Sequence, residues 1–257
     1  MMTRRGFIAA TGLATTATTV SGLGIGYREV PKGERPEQSP DIAVMNPRGR
    51  SPASFIIDDS TCLVNMGHYC MPQFGQVYPD RDSYKKPWQQ WPREIPDRFV
   101  RKFGEWCRDN GVKGKYSIVP YPACVGCVDR FLPGWSHRQL QDSLQLVRDL
   151  MVPDWDIHPE MVTHTRVIDL KTGRPMEEAS PATMENSWPR EPKSVDEMAE
   201  YIAYALRILK NAGLPCEGFT TPGGMGNLVK SELSLGGMEA IREVFNPEVP
   251  HYFKYLE

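Results

Sequence analysis

Short apolar stretches of strand character alternate along this chain with longer amphipathic ones, and that alternation limits the folds open to it more than any single motif does. Ser54 to Ile57, Lys115 to Pro120, Asp154 to His158 and Cys216 to Thr221 read as strands, with a further extended piece within Met161 to Leu170. A helix is predicted from Pro96 or Asp97 to Asn110, with Phe99, Val100, Phe103, Trp106 and Cys107 at helical spacing and Asn110-Gly111 as its stop. A second runs from Ser136 to Met151, opened by Ser136 with Gln139 at capping-box spacing and carrying Leu140, Leu144, Val147 and Leu150 on one face. Ser194 and Glu197 repeat that spacing and start a third helix reaching Asn211-Ala212-Gly213, and Ser231 to Phe245 forms a last one. Parallel strands joined by crossover helices follow, as either an open doubly wound sheet or a barrel. In both, functional groups collect at the carboxyl ends of the strands.

The ends and the composition narrow the class. Arg4 and Arg5, followed by a weakly apolar stretch rich in Ala, Thr and Gly through about Gly26, resemble a twin-arginine export signal. The expectation is an exported protein, periplasmic or extracellular, whose partner during export is the twin-arginine translocase. No stable membrane span is expected in the mature chain, because the signal carries many Thr and Gly residues and no second long apolar run follows. Residues 27–52, with Pro31, Pro36, Pro40 and Pro47, read as a linker or arm. The remainder, residues 53–257, suffices for one substantial core and is short for two. A formal net charge of −2, with 30 Lys and Arg against 32 Asp and Glu, argues against nucleic acid as a partner.

Pro 23 and Gly 22 indicate many loops between short elements. Residues 60 to 95, rich in Tyr and Trp, read as an ordered insertion at the mouth of a site, and 176 to 193 as a loop. Six cysteines are permitted as bridges in an oxidising compartment, and Cys124-Val125-Gly126-Cys127 is the one close pair. Its place between prolines favours a local bridge, with a metal role next and a redox dithiol last.

The chemistry concentrates at the ends of the strands. Asp58 and Asp59 close the first, and two adjacent acids at a buried strand end are costly to keep ionised unless a cation or donors compensate. His158 ends the third strand and His164 follows it, while Thr220-Thr221-Pro222-Gly223-Gly224 ends the fourth. The topology puts all of these on one rim. One carboxylate and two neutral imidazoles make a three-point site for a borderline divalent ion, and a second carboxylate beside them can serve as general base toward water. Continued strand geometry would aim Asp58 and Asp59 to opposite faces, one for the metal and one for the water.

At Ile56-Ile57-Asp58-Asp59-Ser60 the chain resembles the NodB-type polysaccharide deacetylases, metal-dependent carbohydrate esterases on a distorted (β/α)₇ barrel, whose first motif is Thr-Phe-Asp-Asp-Gly. Their paired histidines after strand three are approximated by His158 and His164, and their Arg-x-Pro-x-Gly after strand four by Thr220 to Gly224. The resemblance implies an α/β fold of the distorted (β/α) barrel type, incomplete at its carboxyl end because four β/α units precede Glu257. It implies Asp58 as general base and Asp59, His158 and His164 as ligands of a divalent metal, zinc first. It places Tyr121, Thr221, Pro222 and Gly223 against a carbohydrate substrate, from which an acyl group, most simply acetyl, is hydrolysed.

Three departures qualify that pattern. The histidines stand six apart instead of four, so a loop must bend to bring both to one ion, and Glu160 becomes a further candidate ligand. Thr220 occupies the place of the arginine that orients the base. His251 is the sole late histidine. Two alternatives therefore stand beside the esterase. One is a non-catalytic carbohydrate-binding or scaffold protein on the same barrel. The other is a glycoside hydrolase using rim carboxylates, for which Glu160 and Glu217 are the extra candidates. His68 in the insertion is a third imidazole to consider, His137 reads as solvated, and Tyr69, Trp88, Trp91, Tyr121 and Trp135 suit either sugar stacking or packing over the rim.

Overall fold

Strand β1, Phe55–Ile57, pairs in parallel with β2, Gly114–Ser117, and β2 pairs in parallel with β3, Trp155–His158. The computed structural model describes Gly49 and residues 53–253, the last by its backbone, and the described residues from Ser54 onward belong to one compact unit. The signal-like residues 1–26 and the arm at 27–52, apart from Gly49, lie outside the described residues. Helix α1, Met66–Val77, follows β1; α2, Asp97–Asn110, connects onward to β2; and α3, His137–Leu150, connects β2 to β3. The Ile168–Asp169 and Arg174–Pro175 pair, β4 and β5, is a small antiparallel hairpin. Helix α4, Val195–Asn211, then leads to β6, Gly218–Thr220, and α5, Lys230–Val244, leads to β7, His251–Phe253. Strands β6 and β7 are parallel, and a single parallel bridge between Glu160 and Thr220 joins the segment after β3 to β6.

Local chemistry explains the boundaries. Ser136 and Ser194 each accept from a backbone N–H three residues on, while Gln139 and Glu197 reach back to the cap, so both helices begin with reciprocal capping boxes. Gly111 ends α2 in the left-handed region. Helix α4 buries Met198, Tyr201, Ile202, Leu206 and Leu209 and packs along α5. A Cβ on Gly236 would lie 2.8 Å from both Ala199 N and Val195 O, so glycine is what lets α5 approach α4 this closely.

The sheet sorts its side chains by parity. Trp155 and Ile157 on β3 are buried toward the helices, with the Trp155 ring 5.6 Å from that of Phe103 on α2. Asp156 and His158 take the other face. Register sets Lys115 beside Asp156 and Ser117 beside His158, so charged and polar groups share that inner face. Among the described residues no helix is long and apolar enough to cross a membrane.

Several elements differ from expectation. The long segment after β1 contains α1 despite Pro72 in its interior; Asn65 caps it by accepting from Gly67 N at 3.1 Å. β2 ends at Ser117, and the extended piece expected over Met161 to Leu170 is strand only at Ile168–Asp169. All six cysteines are free, so the local bridge expected between Cys124 and Cys127 is absent. Both thiols are instead pushed up to about 11 by burial.

Candidate metal centre

The strand geometry of β1 stops at Ile57, and Asp59 turns the chain with a φ of 56°, a region that Asp tolerates better than most residues. The two aspartates therefore separate by a turn of backbone rather than by strand alternation. Asp59 N donates to Glu160 Oε2 at 2.8 Å. Its carboxylate faces His164, with Asp59 Oδ1 3.2 Å from His164 Nε2, and His164 Nδ1 lies 3.6 Å from Glu160 Oε1. Asp59, Glu160 and His164 thus each present a ligand atom within 4.8 Å of the other two.

The loop that carries His164 is built around a residue the sequence did not single out. Glu185 is wholly buried, and its carboxylate accepts from Val162 N at 3.1 Å, Thr163 N at 3.1 Å and His164 N at 2.6 Å, as well as from the Tyr201 hydroxyl. Met161 and His164 both adopt positive φ, 50° and 62°, which curls these three N–H groups around one anion. Burial pushes Glu185 up to about 7 against the pull of those donors. Glu160 is 5 % exposed and is raised by burial and by the nearby Asp59 charge, although His164 counteracts the shift. Ser117 Oγ adds a donor, 3.3 Å from Glu160 Oε2.

Asp58 is engaged elsewhere. It forms an ion pair with Lys115, whose side chain is 3 % exposed, and Lys115 Nζ also donates to Thr220 Oγ1 at 3.2 Å. The ammonium of β2 therefore stands beside Asp58, held by Thr220.

His158 joins a different group. Its Nε2 is 2.8 Å from His251 Nε2, which is 2.9 Å from Asp156 Oδ2. His158 Nδ1 lies 3.3 Å from Thr220 Oγ1. The Asp156 hydrogen bond raises His251 and, reciprocally, lowers Asp156. Burial, reinforced by His251, takes His158 down to about 3, so it is neutral at ordinary pH. Of the three ligands expected together, the structure unites Asp59 and His164, adds Glu160, and sets His158 with Asp156 and His251.

The residues expected to meet substrate are spread around this rim. Tyr121 is half-buried and its N–H donates to Val162 O at 2.8 Å, next to the His164 loop. Thr221 Oγ1 is 3.5 Å from the Tyr252 hydroxyl, Pro222 is buried, and Gly223 is exposed with a φ of 46°. His68 packs among aromatics of the insertion, its Nδ1 2.9 Å from Trp91 O and its ring edge-on to Tyr69 and Trp88. A cavity of about 550 Å³ lined by Val167, Trp188, Arg190, Lys193 and Tyr201 includes none of these ligand residues.

The first group fits a divalent cation. His164 Nδ1 is buried and has no hydrogen-bond partner, since 3.6 Å to Glu160 Oε1 is too long. A small oxygen-and-nitrogen donor set of two carboxylates and one imidazole suits zinc or another borderline ion. Comparison of the chain with protein-family models, with curated proteins and with solved structures gives no match.

Proposed function

We propose that this protein is a metal-dependent hydrolase that removes an acyl group, acetyl in the simplest case, from a carbohydrate, and that it acts after export. The observation that carries the reading is the convergence of Asp59, Glu160 and His164 from two distant parts of the chain, with a ligand atom of each within 4.8 Å of the other two. On this reading the parallel strands are an arc of a distorted (β/α) barrel, with the substrate on the rim at their carboxyl ends.

A cation at this site would supply Lewis acidity toward the acyl carbonyl and a lowered pKa for water. The chain supplies the rest. Asp58, ion-paired with Lys115, is the general base, and the Lys115 to Thr220 hydrogen bond fixes the ammonium that orients it. Glu185 holds the His164 loop in its curled form, so that His164 meets Asp59 without rearrangement. Tyr121, Thr221, Pro222 and Gly223 border the sugar. The departure in the third motif is thereby compensated, because Lys115 provides the positive charge that arginine provides in the family the chain resembles.

Acetate release from acetylated saccharides, measured beside metal content, tests this. Asp59→Ala is expected to lose both metal and activity, and Asp58→Asn to keep metal while losing activity. Bound metal without turnover on any acylated sugar would identify a binding or scaffold protein instead, and release of reducing ends without acetate would identify a glycosidase.

A further inference from the structure

The inner face of β3 carries a second convergence that the proposed hydrolysis does not use. His251 Nδ1 is 3.2 Å from the Val249 carbonyl, which can only accept, so that nitrogen carries a hydrogen and donates it. His158 Nδ1 stands 3.3 Å from Thr220 Oγ1 and can donate there in the same way. In that arrangement both Nε2 lone pairs face each other at 2.8 Å, and Asp156 Oδ2 lies 2.9 Å from one and 3.9 Å from the other. Imidazoles that bind metals commonly donate their remote N–H to a backbone carbonyl or similar acceptor, which fixes the tautomer and aims the other nitrogen.

The backbone makes room for this. A Cβ on Gly218 would lie 2.6 Å from His251 O, 2.7 Å from His251 Cδ2 and 2.8 Å from His158 Cε1. Register in the β6–β7 pair places Gly218 opposite His251, so glycine there admits two rings at one point of the inner face. His158 is fully buried, and a neutral His251 with its hydrogen on Nδ1 leaves three acceptor atoms close together, an arrangement that a bound cation or a second hydrogen on His251 resolves.

We propose that Asp156, His158 and His251 form a second site for a borderline divalent transition-metal ion, distinct from the centre at Asp59, Glu160 and His164. Two imidazoles and a carboxylate with open positions suit zinc or ferrous iron. In the absence of that ion, a proton on His251 takes its place. The two sites share no ligand. They are linked through Thr220, whose hydroxyl contacts His158 and Lys115 and whose backbone N–H donates to Pro159 O at 3.0 Å beside Glu160.

The test is zinc stoichiometry in the full chain, freed of metal and titrated against a chromophoric chelator, with folding checked by circular dichroism. Wild type is expected to bind two equivalents; Asp59→Ala and His251→Ala are each expected to bind one. Asp156→Asn, which keeps the side-chain shape, should weaken the second equivalent at least tenfold. Gly218→Ala should abolish it while leaving the first in place. A chain that binds one equivalent, lost in His251→Ala but not in Asp59→Ala, supports this site and removes the proposed hydrolytic one. Unchanged stoichiometry and affinity in both His251→Ala and Asp156→Asn would overturn the inference and leave the cluster a proton-bound pair.

Discussion

Asp59 and Glu160 are joined by a 2.8 Å hydrogen bond from backbone to carboxylate across 101 positions of sequence. That contact ties the end of β1 to the loop after β3, and it makes Glu160 serve twice, as backbone acceptor and as candidate ligand. Glu160→Ala would leave Asp59 N–H and the Ser117 hydroxyl short of an acceptor in a buried place, which costs about 1–3 kcal/mol. Glu160→Gln keeps an oxygen for Asp59 N–H but removes the charge. The expected outcome is a clear loss of chemical stability for Glu160→Ala by urea unfolding, and a smaller loss for Glu160→Gln. Both should weaken zinc binding at least tenfold in a chelator competition.

The Asp58 to Lys115 pair is asymmetric in burial, 51 % against 3 % side-chain exposure, and that predicts asymmetric mutants. Asp58→Ala strands an ammonium inside the protein, where removing one partner of a buried pair costs on the order of 3 kcal/mol, reduced here by the remaining bond to Thr220 Oγ1. Lys115→Met leaves a carboxylate that is already half in water, so stability should change by about 1 kcal/mol or less. On the proposed hydrolysis, activity should respond the other way around in one respect: Lys115→Met is expected to fold and bind metal yet to lose acetate release. Equal destabilisation by the two substitutions, measured by thermal melting, would contradict the burial argument.

The sequence was most legible where local rules act. Ser136 with Gln139, Ser194 with Glu197, and Asn110-Gly111 mark helix ends through hydrogen bonds made within four residues, and the structure has helix ends at these places. Asp59 and His164 could be paired because chain direction in parallel strands collects their ends on one rim. The sequence groups His158 with them because strand position tells which rim a residue reaches but not which neighbour it meets there. Its partners come from β3 itself and from β7, a three-residue strand with almost no pattern of its own. Glu185 was invisible for another reason. A lone glutamate in a loop reads as solvated, and only the left-handed turns at Met161 and His164 bring three N–H groups to it. Helix α1 is hard to read from the sequence because Pro72 argues against a helix interior.

Gly218 offers a test of packing that does not depend on any ion. The three contacts below 3.0 Å that a Cβ would make include a backbone oxygen and two ring carbons, and none sits at the end of a flexible side chain. Gly218→Ala must therefore push β7 away from β6 or rotate the rings, at a cost of about 1–3 kcal/mol. The loss should appear in metal-free protein by urea unfolding, and Gly218→Ala in a His251→Ala background should cost less, since one ring has gone. An additive double-mutant cycle would show that the strain lies elsewhere.

Glu185 makes a pH prediction with a definite sign. Its carboxyl is raised from the ordinary value of 4.5 to about 7 in the folded protein, so folding takes up a proton between those values. The associated stability is fully present below about pH 4.5 and is lost as pH rises through 7, by on the order of 3 kcal/mol across the window. His158, lowered to about 3, acts in the opposite direction between 3 and 6.5, so the wild-type curve alone mixes the two. Comparison with Glu185→Gln isolates the glutamate. The amide replaces one acceptor with a donor facing backbone N–H groups and is destabilising throughout, but the gap from wild type should be widest near pH 4.5 and narrowest above 7. Urea unfolding of chelator-treated protein at pH 5, 6, 7 and 8 measures it, and a gap that stays flat from pH 5 to pH 8 would mean that the three N–H donors hold Glu185 ionised in spite of its burial.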